Sequence, residues 1–493
     1  MDQHLEDRQS KSFSTVWLAS IAIACLVLPA LTTPDATARI SSQADPNQHT
    51  EKGVLDARFG RQGKVVIPIA RHDSQYGGLS LGITGEDEIV AGQGRTLILL
   101  RSDGTVDREF GHRGRVDLRK IAGPSFLLSG LAIDSRDRIV VSGTTWPTAS
   151  EPSPPGVFET LNSPPKLAAI IRLLPSGDPD PEFDQDGFVG TDFGFPPPPA
   201  PGASSPSVGT TAVMVDPEDR PVIAGTAATR FGGCPVGSSN LEPTGFLARL
   251  TPYGSSDTSF HGSGTYAMPG ASRIRGPVQA AAGSVLSIGI HDECRGLPPP
   301  SLLVSLDAGG YPSPDFGAGG TVTLGDWLNP LPDRNLVRDR FDRIFLGDST
   351  FSEGPPRHDF FRIIRLTAAG AIDQGYGKRG VAHVPLSSRE KLGSLTADAR
   401  GGLLIAGSLF KKHPLSPTRR TAKFLLVRMS ANGSLDPRFG RRGRAVVGFG
   451  PGTSASASQI LVDGRGRAVV AGNVKSPDLP THRGIALARY VKQ

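Results

Sequence analysis

The chain has 493 residues, enough for several ordinary domains, but Gly (61) and Pro (43) are plentiful and aromatic residues make up only 6%. That balance favours many short strands joined by tight turns over long helices. The net charge of +6 is modest for this length and no aromatic–basic stacking motif accompanies it, so no nucleic-acid partner is expected.

Residues 16–31 (VWLASIAIACLVLPAL) form an uncharged apolar segment preceded by Lys11 and followed by the small residues Ala36, Thr37 and Ala38. This is the pattern of a secretory signal with a small-residue cleavage site. Asp2, Glu6 and Asp7 outnumber Arg8 and Lys11, and the apolar run approaches the length of a short membrane span. Residues 1–38 therefore read as a signal peptide or an uncleaved N-terminal membrane anchor, with residues 39–53 a linker. Either reading places the body secreted or otherwise outside the cytoplasm, touching a membrane only through this segment. Beyond it lie two cysteines, Cys234 and Cys294, for which an oxidising compartment allows one pairing.

From residue 55 onward one signature recurs. Residues 55–63 read LDARFGRQG, and further copies begin at 106 (VDREFGHRG), 179 (PDPEFDQDG), 256 (SDTSFHGSG), 372 (IDQGYGKRG) and 435 (LDPRFGRRG). A shortened copy at residues 313–320 ends in FGAGG. After each signature come a short strand, a second strand, a polar turn, a third strand closing on glycine, and a fourth strand. Leu131 opens one such hairpin (LAIDSRDRIVVSG) and Phe246 one such fourth strand (FLARL). The closing glycine is present in every unit, at Gly92, Gly143, Gly225, Gly289, Gly347, Gly407 and Gly472. Glycine weakens a strand, so its return at one register predicts a bulge or a close backbone approach.

Seven units of roughly 60 residues, each with four strands, predict an all-β fold: a seven-bladed β-propeller of four-stranded antiparallel blades. The units run approximately 54–104, 105–177, 178–254, 255–310, 311–370, 371–433 and 434–493, and form one body. Ring closure removes the exposed edges an open array would leave. A monomer is expected.

The LDxxFGxxG loop, the DGxIxVAG-type hairpin and the ALARL-type strand resemble the delta-60 repeat, a bacterial repeat of predicted propeller type. The resemblance covers residues 54–493. It is closest in units one, two, six and seven, whereas unit five lacks the spaced aspartate and unit three carries Asp184 in place of the first glycine. It implies a propeller in an extracytoplasmic setting and no particular activity.

Each signature residue has a physical reading. Asp56, Asp107 and Asp436 can accept amide hydrogen bonds two residues on, fixing an Asx-type turn. The aromatics Phe59, Phe110, Phe183, Phe260, Phe316, Tyr376 and Phe439 would wedge between blades. Arg172, Arg249, Arg365, Arg428 and Arg489 recur at one place and could pair with signature aspartates, locking successive blades.

Strand alternation puts the signature loops and the polar hairpin turns on one face. That face carries Arg61 and Lys64, Arg113 and Arg115, Lys378 and Arg379, then Arg441, Arg442 and Arg444, in units that become contiguous when the ring closes. A basic crescent is expected there, suited to an anionic polymer, polysaccharide or envelope protein. The other face receives the insertions at residues 144–166, 192–209 and 409–423, and the loops holding Cys234 and Cys294, for which a blade-to-blade disulfide is expected.

No catalytic constellation, metal-ligand set or cofactor motif stands out: no nucleophile elbow is expected, and HExxH, the P-loop and the dinucleotide fingerprint are all missing. Asp178, Asp180, Asp184 and Asp186 crowd together with the oxygen richness calcium favours, but without the EF-hand spacing. Three functional readings follow: a binding or scaffolding module, a hydrolase or lyase working at the channel mouth, and a purely structural surface protein.

Overall fold

Runs such as Ile139–Thr145 and Leu167–Leu173 are rich in β-branched residues and bounded by Gly, Asp and Pro, so they pair as short antiparallel strands. The computed structural model describes residues 55–71, 73, 78–146, 166–195, 207–231, 241–268, 271, 273–279, 283–290, 301–324, 336–351, 359–413 and 416–491. The N-terminal segment, the linker, Cys234, Cys294 and most of the Pro-rich insertions lie outside these residues. All described residues belong to the second of two compact units, 47–493. Among them no helix is long and apolar enough to cross a membrane.

The first strand, β1 (Lys64–Pro68), follows the first signature. Blade 1 is β2 (Leu79–Ile83), β3 (Ile89–Gln93), β4 (Thr96–Leu100) and β5 (Arg115–Asp117), followed by the one-turn helix α1 (Arg119–Ala122). Blade 2 is β6 (Leu127–Ile133), β7 (Ile139–Thr145), β8 (Leu167–Leu173) and β9 (Phe188–Thr191). Blade 3 is β10 (Ser207–Val215), β11 (Pro221–Phe231), β12 (Leu241–Arg249) and β13 (Thr265–Ala267). Blade 4 is β14 (Arg273–Gln279), β15 (Val285–Ile290), β16 (Leu302–Leu306) and β17 (Thr321–Thr323). Blade 5 is β18 (Leu336–Arg338), β19 (Ile344–Phe351), β20 (Asp359–Leu366) and β21 (Val381–Leu386). Blade 6 is β22 (Glu390–Ala397), β23 (Leu403–His413), β24 (Ser416–Met429) and β25 (Arg444–Val447). Blade 7 is β26 (Ser454–Val462), β27 (Ala468–Lys475) and β28 (Arg483–Tyr490), completed by β1.

The sheets are thus the expected seven four-stranded blades, but offset by one strand from the sequence units. The strand after each signature is the outer strand of the preceding blade, so the signature loop sits inside a blade. A period read from sequence has no natural starting point. Long-range pairing supplies it: β1 joins β28 antiparallel, with Val65 opposite Leu487. The inner strands β2, β6, β10, β14, β18, β22 and β26 each touch the next, and β26 touches β2, so the ring is closed.

The core is divided in seven. Each apolar cluster spans two neighbouring blades, and each holds one signature aromatic. Phe59 fills the blade 7–blade 1 interface with Ile67, Leu81, Ile98 and Leu487, and is fully buried. All seven rings are buried, each contributing roughly 1.5–3 kcal/mol of burial free energy. No blade covers its own two faces.

Four of the seven strand-closing glycines sit at the bulge that the sequence predicts. Gly143, Gly225, Gly407 and Gly472 each pair with the inner-strand residue just before a register shift. A Cβ on Gly407 would collide with the Lys391 carbonyl, and one on Gly472 with the Ser456 carbonyl. The insertion at residues 409–423 differs from expectation. It is largely a hairpin extension, with Leu409 opposite Lys423 and Lys412 opposite Arg420.

Tyr376 stands where six copies have phenylalanine, and its buried hydroxyl has no hydrogen-bond partner among the described residues. Burial pushes this phenol far above its ordinary value of 10.0. An unsatisfied buried hydroxyl costs about 1–3 kcal/mol. Tyr376→Phe is therefore expected to leave the melting temperature unchanged or raise it, and a clear drop in calorimetry would show that the hydroxyl is satisfied.

Candidate binding face

The signature loop is built around its aspartate. Oδ1 of Asp56 accepts the amide of Arg58, and the same bond joins Asp107 to Glu109, Asp180 to Glu182, Asp257 to Ser259, Asp373 to Gly375 and Asp436 to Arg438. The aspartate carbonyl then accepts the amide of the aromatic, as from Phe59 to Asp56, so the ring points inward.

The other carboxylate oxygen takes the recurrent arginine. Arg489 donates to Asp56, Arg172 to Asp180, Arg249 to Asp257 and Arg365 to Asp373, at 2.6–3.0 Å. Each guanidinium also donates to a carbonyl in the next blade: Arg489 to Ser102, Arg172 to Pro252, Arg249 to Ala308, Arg365 to Ala431. It lies over the signature ring as well, 4.5 Å from the Phe59 centroid for Arg489. The expected Arg–Asp lock is a three-way clasp between blades.

Its exceptions are informative. Ser305 and Ser313 replace the ion pair with a 3.2 Å hydroxyl contact in blade 4. Leu99 takes the arginine's place in blade 1, and Asp107 pairs instead with the exposed Arg101. In blade 6, Arg428 turns toward the hairpin carboxylate of Asp398 at 3.0 Å. There Gly402 replaces the hairpin arginine present as Arg138, Arg220, Arg343 and Arg467, and a cavity of about 40 Å³ lies between Asp398, Arg428, Phe439 and Tyr490. That is room for a water or two, not for a ligand.

Hairpin turns on the same face interlock too. Gly464 donates to Asp87, Gly85 to Asp137 and Ser135 to Asp219, each from one blade to the next. Signature loops and hairpin turns therefore do share a face, as strand alternation requires.

On this scaffold the nine basic residues of the expected crescent divide. Lys64, Arg115 and Arg444 are half-buried at the start of outer strands, and reach back to carbonyls of the preceding blade at Gly448, Pro68 and Pro385. Arg444 also pairs with Glu390 at 2.7 Å. They are straps between blades. Arg61, Arg113, Lys378, Arg379, Arg441 and Arg442 are exposed and make no ion pair among the described residues. They fall on blades 7, 1, 5 and 6, which are consecutive in the ring.

Three more arginines join them, unremarked in the sequence. Arg58, Arg108 and Arg438 occupy the DxxF positions of the same loops, exposed and without an ion pair among the described residues. Arg58 and Arg438 directly precede the aromatic and Arg108 directly follows its aspartate, so an arginine between aspartate and aromatic in three copies was the available signal. Blade 2 presents Glu182, Asp184 and Asp186 instead, so the face is electrostatically divided.

The carboxylates considered for calcium do not converge. Asp180 is buried under Arg172 and Arg138, Asp178 accepts from Ser176, and Asp186 accepts the amide of Phe188. Among the described residues no group of three metal-ligating side chains assembles.

The display geometry is strained. The sixth signature residue has φ between 49° and 55° in every copy, Asp184 and His261 included. At the eighth, Arg113, Arg379 and Arg442 adopt φ of 53°, 54° and 52°, a left-handed conformation costing a non-glycine residue roughly 1–2 kcal/mol.

No protein-family model matches the chain, and no curated protein is similar to it in sequence. Several solved structures match at low similarity. A streptogramin B lyase is 10% identical with TM-score 0.40, covering 86% of this chain and 97% of its own. The polysaccharide lyase Uly1 is 10% identical with TM-score 0.43, covering 91% and 95%. The propeller domain of the Trilobed protease from Pyrococcus furiosus is 10% identical with TM-score 0.35, covering 75% and 94%. The fold rests on this chain's own strand pairing, and the likeness adds no argument to it.

Arg489 and Asp56 join the two ends of the folded body, so Arg489→Ala should open the ring where it closes. Removing one partner of a buried ion pair costs about 3–5 kcal/mol. Urea unfolding should show a loss of that order, larger than for Ser313→Ala in the blade without a clasp.

Burial raises the carboxyl pKa of Asp56 and Asp257, but hydrogen bonds outweigh it, leaving both below the ordinary 3.8: at Asp56 from the Arg58 amide and Arg489, at Asp257 from the Ser259 hydroxyl, Arg249 and the Ser259 amide. Carboxylates depressed by folding stabilise above their unfolded pKa, and the effect is lost as pH falls through the folded value. Stability should therefore stay level from neutral pH down to about 5 and fall steeply below about 4, read as the urea midpoint across that range.

Proposed function

We propose that this protein is an extracytoplasmic binding module that docks a polyanionic polymer on the basic arc of its signature face. One observation supports this most: six cations with no ion pair among the described residues stand at equivalent turn tips of four consecutive blades, three of them arginines held at positive φ. A merely solubilising turn residue gains nothing from a left-handed conformation that glycine or asparagine adopts more easily. A rigid array of guanidinium groups, by contrast, suits repeated anionic groups along a chain. The apolar segment at residues 16–31 and the delta-60-type repeat support the extracytoplasmic setting. The repeat itself we read as delta-60 in type, on the LDxxFGxxG loop and its hairpin.

Polyphosphate, a polyanion without sugars, is the direct probe. Calorimetric titration of the full chain should show binding that weakens as the screening length shrinks from ~30 Å at about 0.01 M salt to ~3 Å at about 1 M. The variant R113Q/R379Q/R441Q/R442Q should bind at least about tenfold more weakly at low salt with an unchanged or higher melting temperature. Equal affinity in the variant, or binding indifferent to salt, removes the arc as the cause.

A further inference from the structure

Blades 3 and 4 carry none of the basic tips, yet the two most exposed tyrosines of the described residues stand there. Tyr253 is 69% exposed and Tyr311 is 51% exposed. Both lie in the turn that precedes a signature, on the same face as the basic arc. In that turn four other copies place small or polar residues: Asp103, Ser176, Ala369 and Asn432 where Tyr253 stands, and Thr105, Asp178, Ala371 and Ser434 where Tyr311 stands. The tyrosines are substitutions within a repeat, at places where packing needs no ring.

Both rings are mounted on fixed backbone. The Pro252 carbonyl accepts the clasp from Arg172, and the Tyr253 carbonyl accepts the Asp184 amide at 2.9 Å. The Tyr311 amide donates to Asp307 at 2.9 Å. The Tyr311 ring lies 5.0 Å from the His261 ring, which in turn meets the buried Tyr266 edge-on at 5.2 Å. Phe341 on blade 5 is also exposed, but Arg340 and Arg343 stack on it at 4.7 and 4.9 Å, so its faces are taken.

We infer that Tyr253 and Tyr311 form a sugar-stacking platform continuous with the basic arc, so that the polymer held on this face is an acidic polysaccharide. This rests on the polyanion reading above and names its chemistry. An aromatic face carries negative charge density, and the C–H groups on one side of a pyranose ring carry positive polarisation, so the two stack. The phenol hydroxyl can bond sugar hydroxyls at the rim. Going round the face, a glycan would meet tyrosines on blades 3 and 4, then cations on blades 5, 6, 7 and 1.

Charge favours a polysaccharide over a single-stranded nucleic acid, which also stacks on aromatics. Asp184, Asp186 and Glu182 lie in the blade 2 signature loop that bonds the Tyr253 turn. A nucleic acid carries a phosphate at every unit and would set one against these carboxylates. A glycan whose uronates alternate with neutral sugars can place a neutral ring there.

The test uses the full chain with three probes: hyaluronan, whose uronates alternate with neutral sugars; polyphosphate; and oligothymidylate. The double variant Y253A/Y311A, altered only at exposed side chains, should lose about tenfold or more in hyaluronan affinity while holding polyphosphate as the unaltered chain does. Melting curves confirm that it folds. Unchanged hyaluronan affinity in this variant, or tighter binding of oligothymidylate than hyaluronan, overturns the platform. The two readings fail separately: polyphosphate binding that survives R113Q/R379Q/R441Q/R442Q overturns the arc, whereas the tyrosine result is read on hyaluronan alone.

Discussion

The buried guanidinium that ties a signature aspartate to a carbonyl of the next blade is the contact on which this wheel depends. A four-stranded sheet has two apolar faces and cannot shelter either alone. Stacking sheets covers the faces but leaves the angle between them free. The clasp removes that freedom, because the arginine must reach its own carboxylate, the signature ring beneath it and a neighbouring carbonyl together. Where it is replaced, by Leu99 or by Ser305 and Ser313, the aromatic still fills the interface and its flanking clasps hold the geometry.

The same loops that lock the ring also define its surface. Once aspartate, aromatic and final glycine are committed to the interior, the remaining positions are fixed in space by a backbone that runs through left-handed conformations. Their identity is free to vary. Arginine and lysine occupy them on four blades, carboxylates on one, and neighbouring turns carry tyrosine on two. A repeat scaffold thus separates what must be preserved from what can be specialised.

Much of this was legible from residues alone. The seven copies, the four strands per copy, the inward aromatics, the Arg–Asp pairing and the shared face of signatures and hairpins all follow from local pattern and strand alternation. Other features were not. Lys64, Arg115 and Arg444 read as surface charge beside Arg61 and Arg442, because sequence shows their proximity in the chain but not the preceding blade's carbonyls within reach. The 409–423 stretch read as a loop because its Pro and basic residues mask the pairing that continues beyond the blade. Arg58, Arg108 and Arg438 lie between the aspartate and the inward aromatic, and only the folded loop shows that all three stand exposed beside the xx positions.

The sequence by itself determined the repeating unit, its strand content and the chemical role of each signature residue, since these depend on neighbours within a few positions. Tertiary structure decided the phase of the repeat, through β1 closing on β28, and it decided which charges are free. The first turns on contacts between residues hundreds of positions apart, the second on contacts with the preceding blade, from 47 positions away for Arg115 to 384 for Lys64. Arg489 and Asp56 lie at opposite ends of the folded body, and only closure of the ring brings them together.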